Sequence, residues 1–165
     1  MPHVILHLGS NIGLRNQYLQ RARQLLEAQV GKLVASSAIY RTSAWGIENQ
    51  RDFLNQAFCF KTQLPPAQVL EIALNTETKL GRKRQERWGE RIIDIDIIFY
   101  EDLTLDTPKL VIPHPWLQER RFVLVPLNDI APNWVHPILG KTVSDLLMIC
   151  PDEGEVERVS GGFGK

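Results

Sequence analysis

Cysteine is scarce in this chain, neither sign of charge prevails, and no apolar run is long. Cys59 and Cys150 are the two cysteines among 165 residues, too few for a thiolate metal cage, and they read as reduced thiols. The 19 basic and 19 acidic side chains cancel, so no global field draws the protein to nucleic acid or to an acidic membrane. No apolar stretch approaches the roughly 20 residues that span a bilayer. The opening segment from Met1 to His7 lacks the basic region and long apolar segment of a signal peptide. Repeats and low-complexity tracts are missing as well. These absences leave a soluble, cytoplasmic protein of one domain as the expectation, with neither nucleic acid nor membrane as partner.

Against that neutral background a local excess stands out. Residues 82 to 91 hold four arginines and one lysine against Glu86 and Glu90. They lead directly into Ile92 to Tyr100, β-branched and aromatic throughout apart from two acids, with no Gly or Pro, which predicts a buried strand. Strand side chains alternate, so Asp94 and Asp96 share one face while Ile93, Ile95 and Ile97 line the other. Their Cα atoms then lie roughly 6 to 7 Å apart. Two carboxylates so close in an apolar strand repel one another, and desolvation raises their pKa values. A divalent cation relieves both penalties, and hard oxygen ligands suit Mg²⁺. Guanidinium groups upstream offer the bidentate donors that phosphate accepts. The segment reads as a magnesium-polyphosphate site.

Around it the chain alternates. Val4 to Leu8 predicts a strand, and Leu14, Tyr18, Leu19, Ala22, Leu25 and Leu26 recur at helical spacing, with Gly31 as the helix's C-terminal cap. Leu33 to Tyr40 and Phe53 to Thr62 read as strands on either side of a loop from Arg41 to Arg51. Pro65 and Pro66 open a second helix, which Gly81 ends. The order β-α-β-β-α-β predicts an α+β fold with a ferredoxin-like core, both helices on one face of an antiparallel sheet and the other face partly open. Beyond Tyr100, Pro108, Pro113, Pro115, Pro126, Pro132 and Pro137 predict irregular structure and short helices, with a last helix near Val143 to Ile149. Residues 1–150 are expected to form the catalytic domain and residues 151–165 a mobile tail.

Other candidates are less self-evident. Gly9, Ser10 and Asn11, followed by Gly13, resemble a phosphate-cradling turn but lack the Lys-Ser/Thr of a Walker loop, so a plain strand-to-helix turn is the better reading. Trp45, Phe53, Trp88 and Phe122 are rings able to sandwich a planar ligand. Asn55 offers both a donor and an acceptor to a pyrimidine-like edge. His114 is held between Pro113 and Pro115, and Lys109 is a further cationic candidate.

The run Arg87-Trp88-Gly89-Glu90-Arg91-Ile92-Ile93-Asp94-Ile95-Asp96 resembles the signature of the 6-hydroxymethyl-7,8-dihydropterin pyrophosphokinase family of the folate pathway. Gly9-Ser10-Asn11, Tyr40-Arg41-Thr42, Phe53-Leu54-Asn55, and Pro113-His114-Pro115 with Glu119, Arg120 and Phe122 follow the family's order. The resemblance implies transfer of the β,γ-diphosphate of ATP to the pterin hydroxymethyl group, with release of AMP and two magnesium ions on Asp94 and Asp96. It gives Arg82 and Arg91 the transferring phosphates, and Arg84, Trp88, Lys109, His114 and Arg120 the nucleotide. Leu70 and Ile97 or Ile98 would line the adenine pocket. Thr42 and Asn55 would read the pterin edge with Ser43 beside them. The ring would stack between Phe122 and Trp88, with Phe53 and Trp45 alongside and Glu77 near the same site. The enzyme is expected to act as a monomer on these two small molecules. The sequence departs from the family pattern at Trp116, where many members carry a basic residue, at Ala44, where a proline is common, and at Phe53, which lacks the hydroxyl of the Tyr found in some.

Two other classes compete. A ferredoxin-like module that binds nucleic acid or regulates a partner would present aromatic and basic residues on its sheet, whereas this fourth strand presents acids. A magnesium-dependent phosphohydrolase would release phosphate from ATP without an acceptor.

Overall fold

The computed structural model describes residues 1–11, 13–42, 52–81 and 92–159. In chain order these form β1 (His3–Ser10), α1 (Arg15–Gln29), β2 (Gly31–Ser36), β3 (Tyr40–Thr42), β4 (Phe53–Thr62), α2 (Pro66–Lys79) and β5 (Asp94–Tyr100). A short pair follows, β6 (Leu105–Asp106) and β7 (Val111–Ile112), then a 3₁₀ turn at Leu117–Glu119, α3 (Arg121–Ile130), α4 (Val143–Met148) and β8 (Val156–Arg158). The main sheet runs β5-β1-β4-β3-β8, with β2 on the same edge of β4 as β3. Its pairings are antiparallel. The expected α+β class is present, and the order is the expected β-α-β-β-α-β with one strand more, because β2 and β3 stand where a single strand was expected and β3 extends into the expected loop at Arg41 and Thr42.

Alternation along the strands sorts side chains onto two faces. Val4, Leu6 and Leu8 of β1, Phe58 and Phe60 of β4, and Ile95 and Ile97 of β5 pack with Leu19, Ala22 and Leu26 of α1 and Val69 and Ala73 of α2. Both helices are amphipathic at helical spacing, and this apolar stripe is what holds them to the sheet. Pro65 caps α2 and Pro66 opens it, a position whose missing N–H costs no helical hydrogen bond.

Several elements differ from expectation, each for a local reason. The strand predicted from Leu33 to Tyr40 breaks at Ser37–Ile39, because side chains replace its ladder. Ser37 Oγ accepts from the Ala57 N–H at 2.9 Å, and the Asp129 carboxylate accepts from the Ala38 N–H at 3.1 Å. Gly31 opens β2 rather than capping α1, which Val30 caps. A Cβ on Gly31 would lie 1.8 Å from the Lys61 carbonyl oxygen, so the first residue of β2 has to be glycine.

α3 forms despite Pro126 in its interior. Val123, Leu124 and Leu127 of α3 and Val143 and Leu146 of α4 pack with Ile5, Cys59, Ile98 and Phe99 to cover part of the second face of the sheet. That face is thus less open than two helices alone would leave it. The chain after Pro151, expected to be mobile, is docked up to Arg158. Asp152 accepts from the Arg121 N–H at 3.0 Å, and β8 pairs with β3, where Arg41 and Glu157 form an ion pair at 2.6 Å.

Candidate active site on the second sheet face

Where α3 and α4 stop, the second face carries polar groups. Cross-strand register places Asp94, Gly9, Asn55 and Tyr40 in one row across β5, β1, β4 and β3. Asp96, His7 and Ala57 form the next row. Strands lie about 4.8 Å apart, so Asp94 and Asn55 are separated by about 10 Å, with glycine between them. The centre of this floor therefore carries no side chain. Gly9 is what keeps it flat: a Cβ there would stand 3.2 Å from Asn55 Oδ1 and 3.6 Å from Phe53 Cδ1.

Asn55 is buried, and its Nδ2 donates to Thr42 Oγ1 at 2.8 Å. That bond fixes the amide, turns Oδ1 towards Gly9, and leaves the Thr42 hydroxyl proton for another acceptor. The pair can meet both an N–H and an acceptor on the edge of a planar ligand. Phe53 is Thr42's cross-strand partner. Phe122, in the first turn of α3, brings a ring over the His7 side of the floor. The His7 and Phe122 ring centroids lie 6.0 Å apart, edge to face, and the Arg120 guanidinium carbon is 5.9 Å from the Phe122 centroid.

Asp94 and Asp96 are half-buried and face this trough, while Ile93, Ile95 and Ile97 lie in the core of the helical face, as alternation requires. No group of three or more His, Cys, Asp and Glu able to hold a metal occurs among the described residues. Two carboxylates on one strand face are nevertheless a fitting donor set for Mg²⁺. That ion keeps several waters and is ordinarily bound by one or two carboxylates together with substrate phosphates.

On the far side of the acids a cleft of about 240 Å³ is lined by Leu70, Ile97 and Val111 together with Asp96, Lys109 and His114. His114 Nδ1 accepts from the Trp116 N–H at 3.2 Å, so the proton sits on Nε2, a neutral donor for the cleft. Burial, then Arg120 and His7, push the His114 pKa down to about 4. His7 is likewise pushed down to about 4, chiefly by burial, although Asp94 pulls the other way.

Two predicted residues stand elsewhere. Ile98 is the extra residue of a β-bulge where β5 meets Ile5 and Leu6, and it packs in the α3–α4 core, so it does not line the cleft. Glu77, expected near the pterin-side residues, is buried at the outer edge of β5. There its Oε2 accepts from the Ile95 N–H at 2.7 Å, steadying the strand between Asp94 and Asp96 rather than joining the floor. Ser43, Trp45, Arg82, Arg84, Trp88 and Arg91 lie outside the described residues. His7 escapes sequence reasoning, its one signal a polar ring in an apolar strand, and Gly9, read from the sequence as part of a plain strand-to-helix turn, is the centre of the floor row.

The carboxylate pair thus stands between a cleft with apolar walls and a polar floor on an antiparallel α+β sandwich, an arrangement suited to a small-molecule enzyme. Comparison with known proteins gives the family. The family model described as 7,8-dihydro-6-hydroxymethylpterin-pyrophosphokinase (HPPK) matches residues 5–132. A Methylorubrum extorquens protein named 2-amino-4-hydroxy-6-hydroxymethyldihydropteridine pyrophosphokinase is 46% identical over 160 residues, covering 96% of this chain and 99% of that relative. An Aquifex aeolicus protein of the same name is 41% identical over 145 residues, 88% of this chain and 90% of the relative. The crystal structure of wild-type Plasmodium falciparum HPPK-DHPS shares the fold, with a TM-score of 0.73 at 18% identity over 89% of this chain and 44% of that longer one. The chain belongs to the HPPK family.

Proposed function

We infer that this protein transfers the β,γ-diphosphate of ATP to 6-hydroxymethyl-7,8-dihydropterin, giving AMP and the pterin diphosphate, as a step of folate biosynthesis. The observation that carries the reading is the position of Asp94 and Asp96 between the cleft and the floor in a chain of this family. The floor is the pterin side. Asn55 and Thr42 meet the ring's hydrogen-bonding edge, and Phe122 and Phe53 supply aromatic surface. The cleft is the adenosine side, where Leu70 and Ile97 give apolar walls and His114 Nε2–H and Lys109 face the polyphosphate.

In this reading the pterin hydroxyl oxygen attacks the β-phosphorus in line, forming a new P–O bond as the bond from the β-phosphorus to the α,β-bridging oxygen breaks; that oxygen leaves with AMP, and the hydroxyl proton passes to solvent. The chain's contribution is to hold both substrates aligned and to neutralise charge, with Arg82, Arg91 and Arg120 as the cationic groups. Two magnesium ions held by Asp94 and Asp96 would supply charge neutralisation at the phosphate oxygens. Both half-sites come from one chain, which supports action as a monomer, and an ATP-consuming biosynthetic step supports a cytoplasmic location.

Product analysis with ATP, Mg²⁺ and 6-hydroxymethyl-7,8-dihydropterin tests the assignment. The expected products are AMP and pterin diphosphate in equal amounts. ADP or free phosphate released without the pterin would overturn it.

A further inference from the structure

A helix interior ordinarily satisfies each carbonyl with the N–H four residues later. The Phe122 carbonyl in α3 is denied that donor, because the residue four positions on is Pro126, which has none. A carbonyl oxygen left without a donor in a packed region is costly. His7 reaches it from the sheet beneath: its Nε2 lies 3.2 Å from the Phe122 oxygen. A carbonyl only accepts, so Nε2 carries the proton and donates. The imidazole is 4% exposed, and its edge-to-face contact with the Phe122 ring adds a second constraint on the same residue.

We propose that His7 is a positioning residue for the aromatic wall of the site: its Nε2–H replaces the helical donor that Pro126 removes from Phe122, and so fixes the Phe122 ring over the pterin floor. His7 stands in the row next to Gly9, and its cross-strand partners are Asp96 and Ala57. The bond therefore ties the first turn of α3 to the strands that carry the floor and the carboxylates. The inference rests on the reading of Phe122 as the surface on which the pterin ring stacks.

Steady-state kinetics on the intact protein, varying each substrate in turn, test it with four variants. His7→Ala is expected to raise the pterin KM about five- to tenfold, the worth of one buried hydrogen bond, with the ATP KM within about twofold of wild type. In His7→Gln an amide N–H can donate to the same carbonyl, and the pterin KM should return to within about twofold. His7→Ala combined with Pro126→Ala restores a backbone N–H at position 126 and should recover most of the loss by a separate route. A His7→Ala protein that melts earlier but keeps its pterin KM overturns the proposal. So does a raised KM that neither His7→Gln nor the double variant lowers, or one shared equally by ATP. Phe122→Ala separates the two levels of inference. An unchanged pterin KM in that variant overturns the stacking reading itself, whereas a raised KM there with none in His7→Ala overturns only the role of His7.

Discussion

The two faces of the central sheet are made from alternate residues of the same strands, yet they behave as different materials. On the helical face, β1, β4 and β5 offer Val4, Leu6, Leu8, Phe58, Phe60, Ile95 and Ile97 to α1 and α2, and the cluster is continuous. On the other face the same strands offer Ile5, His7 and Gly9, then Cys59, Ala57 and Asn55, then Asp96 and Asp94. Apolar character fades along each strand towards the site. The helical face is built for stability. The second face gives part of its area to polar and charged groups in place of apolar packing, and α3 and α4 cover only the rest. A two-residue period lets one strand serve both ends at once.

The comparison predicts that damage to the two faces separates. The largest effect belongs to the helical face. Phe58→Ala removes a fully buried ring and should cost about 3–5 kcal/mol of stability in urea denaturation. Substrate KM values of the remaining folded protein should stay near wild type. A change in KM as large as the loss of stability would show that the faces are not independent.

Next is Asp96→Asn, which keeps shape and removes a charge on the site face. Diphosphate transfer should fall by about 10²–10³-fold, while the urea midpoint holds or rises as the two acids cease to repel. Unchanged turnover would remove Asp96 from the catalytic site.

Acid provides a third separation. The three histidines with lowered pKa values, His7, His114 and His136, are all associated with the second face or the layer over it, and burial is the leading cause for each. His136 Nδ1 also accepts from the Ile138 and Leu139 N–H groups, at 3.2 and 3.1 Å, which a proton there would displace. A base whose folded pKa lies below its unfolded value is neutral in both states at pH 7. As pH falls below about 6.5, the unfolded chain takes up protons that the folded chain refuses, so stability drops until the folded value is reached, near 4 for His7 and His114. Hydrogen exchange between pH 6.5 and 4 should therefore lose protection in α3 and α4 before α1 and α2. Simultaneous loss would mean that acid acts on the whole domain.

Much of this was legible in the sequence, and what was not has a common physical cause. Helices α1 and α2 and the alternation of Asp94 and Asp96 against Ile93, Ile95 and Ile97 follow from local periodicity, which a window of residues contains. The break at Ser37–Ile39 needs the Asp129 carboxylate from α3, ninety-one positions from Ala38. Pro126 reads as a stop signal because its carbonyl partner is rescued from another element. The β8 strand forms on an edge that β3 supplies from more than a hundred residues away. Ile98 was legible by alternation, which puts it on the face opposite Ile97, but the bulge that carries Phe99 to that same face and Tyr100 to the helical one was not. In the site, charge, amide chemistry and aromatic type mark Asp94, Asn55 and Phe122 in advance, whereas Gly9 and His7 gain their meaning only from what lies across the strands.

The smallest predicted effect tests whether the cover on the second face is a separable layer. α4 is six residues long, too short to persist on propensity alone. It is held by Val143 and Leu146 in the second cluster and by Thr142, whose Oγ1 accepts from the Asp145 N–H at 3.1 Å. Removing that cap with Thr142→Ala should cost about 1 kcal/mol. If α4 is only a cover, amide exchange should quicken in α4 and the adjoining residues, with substrate KM values and the protection of α1 and α2 unchanged. If the pterin KM rises as well, the cap is felt through α3 at Phe122. The second face is then one cooperative unit from Thr142 to the floor, rather than a site beside a lid.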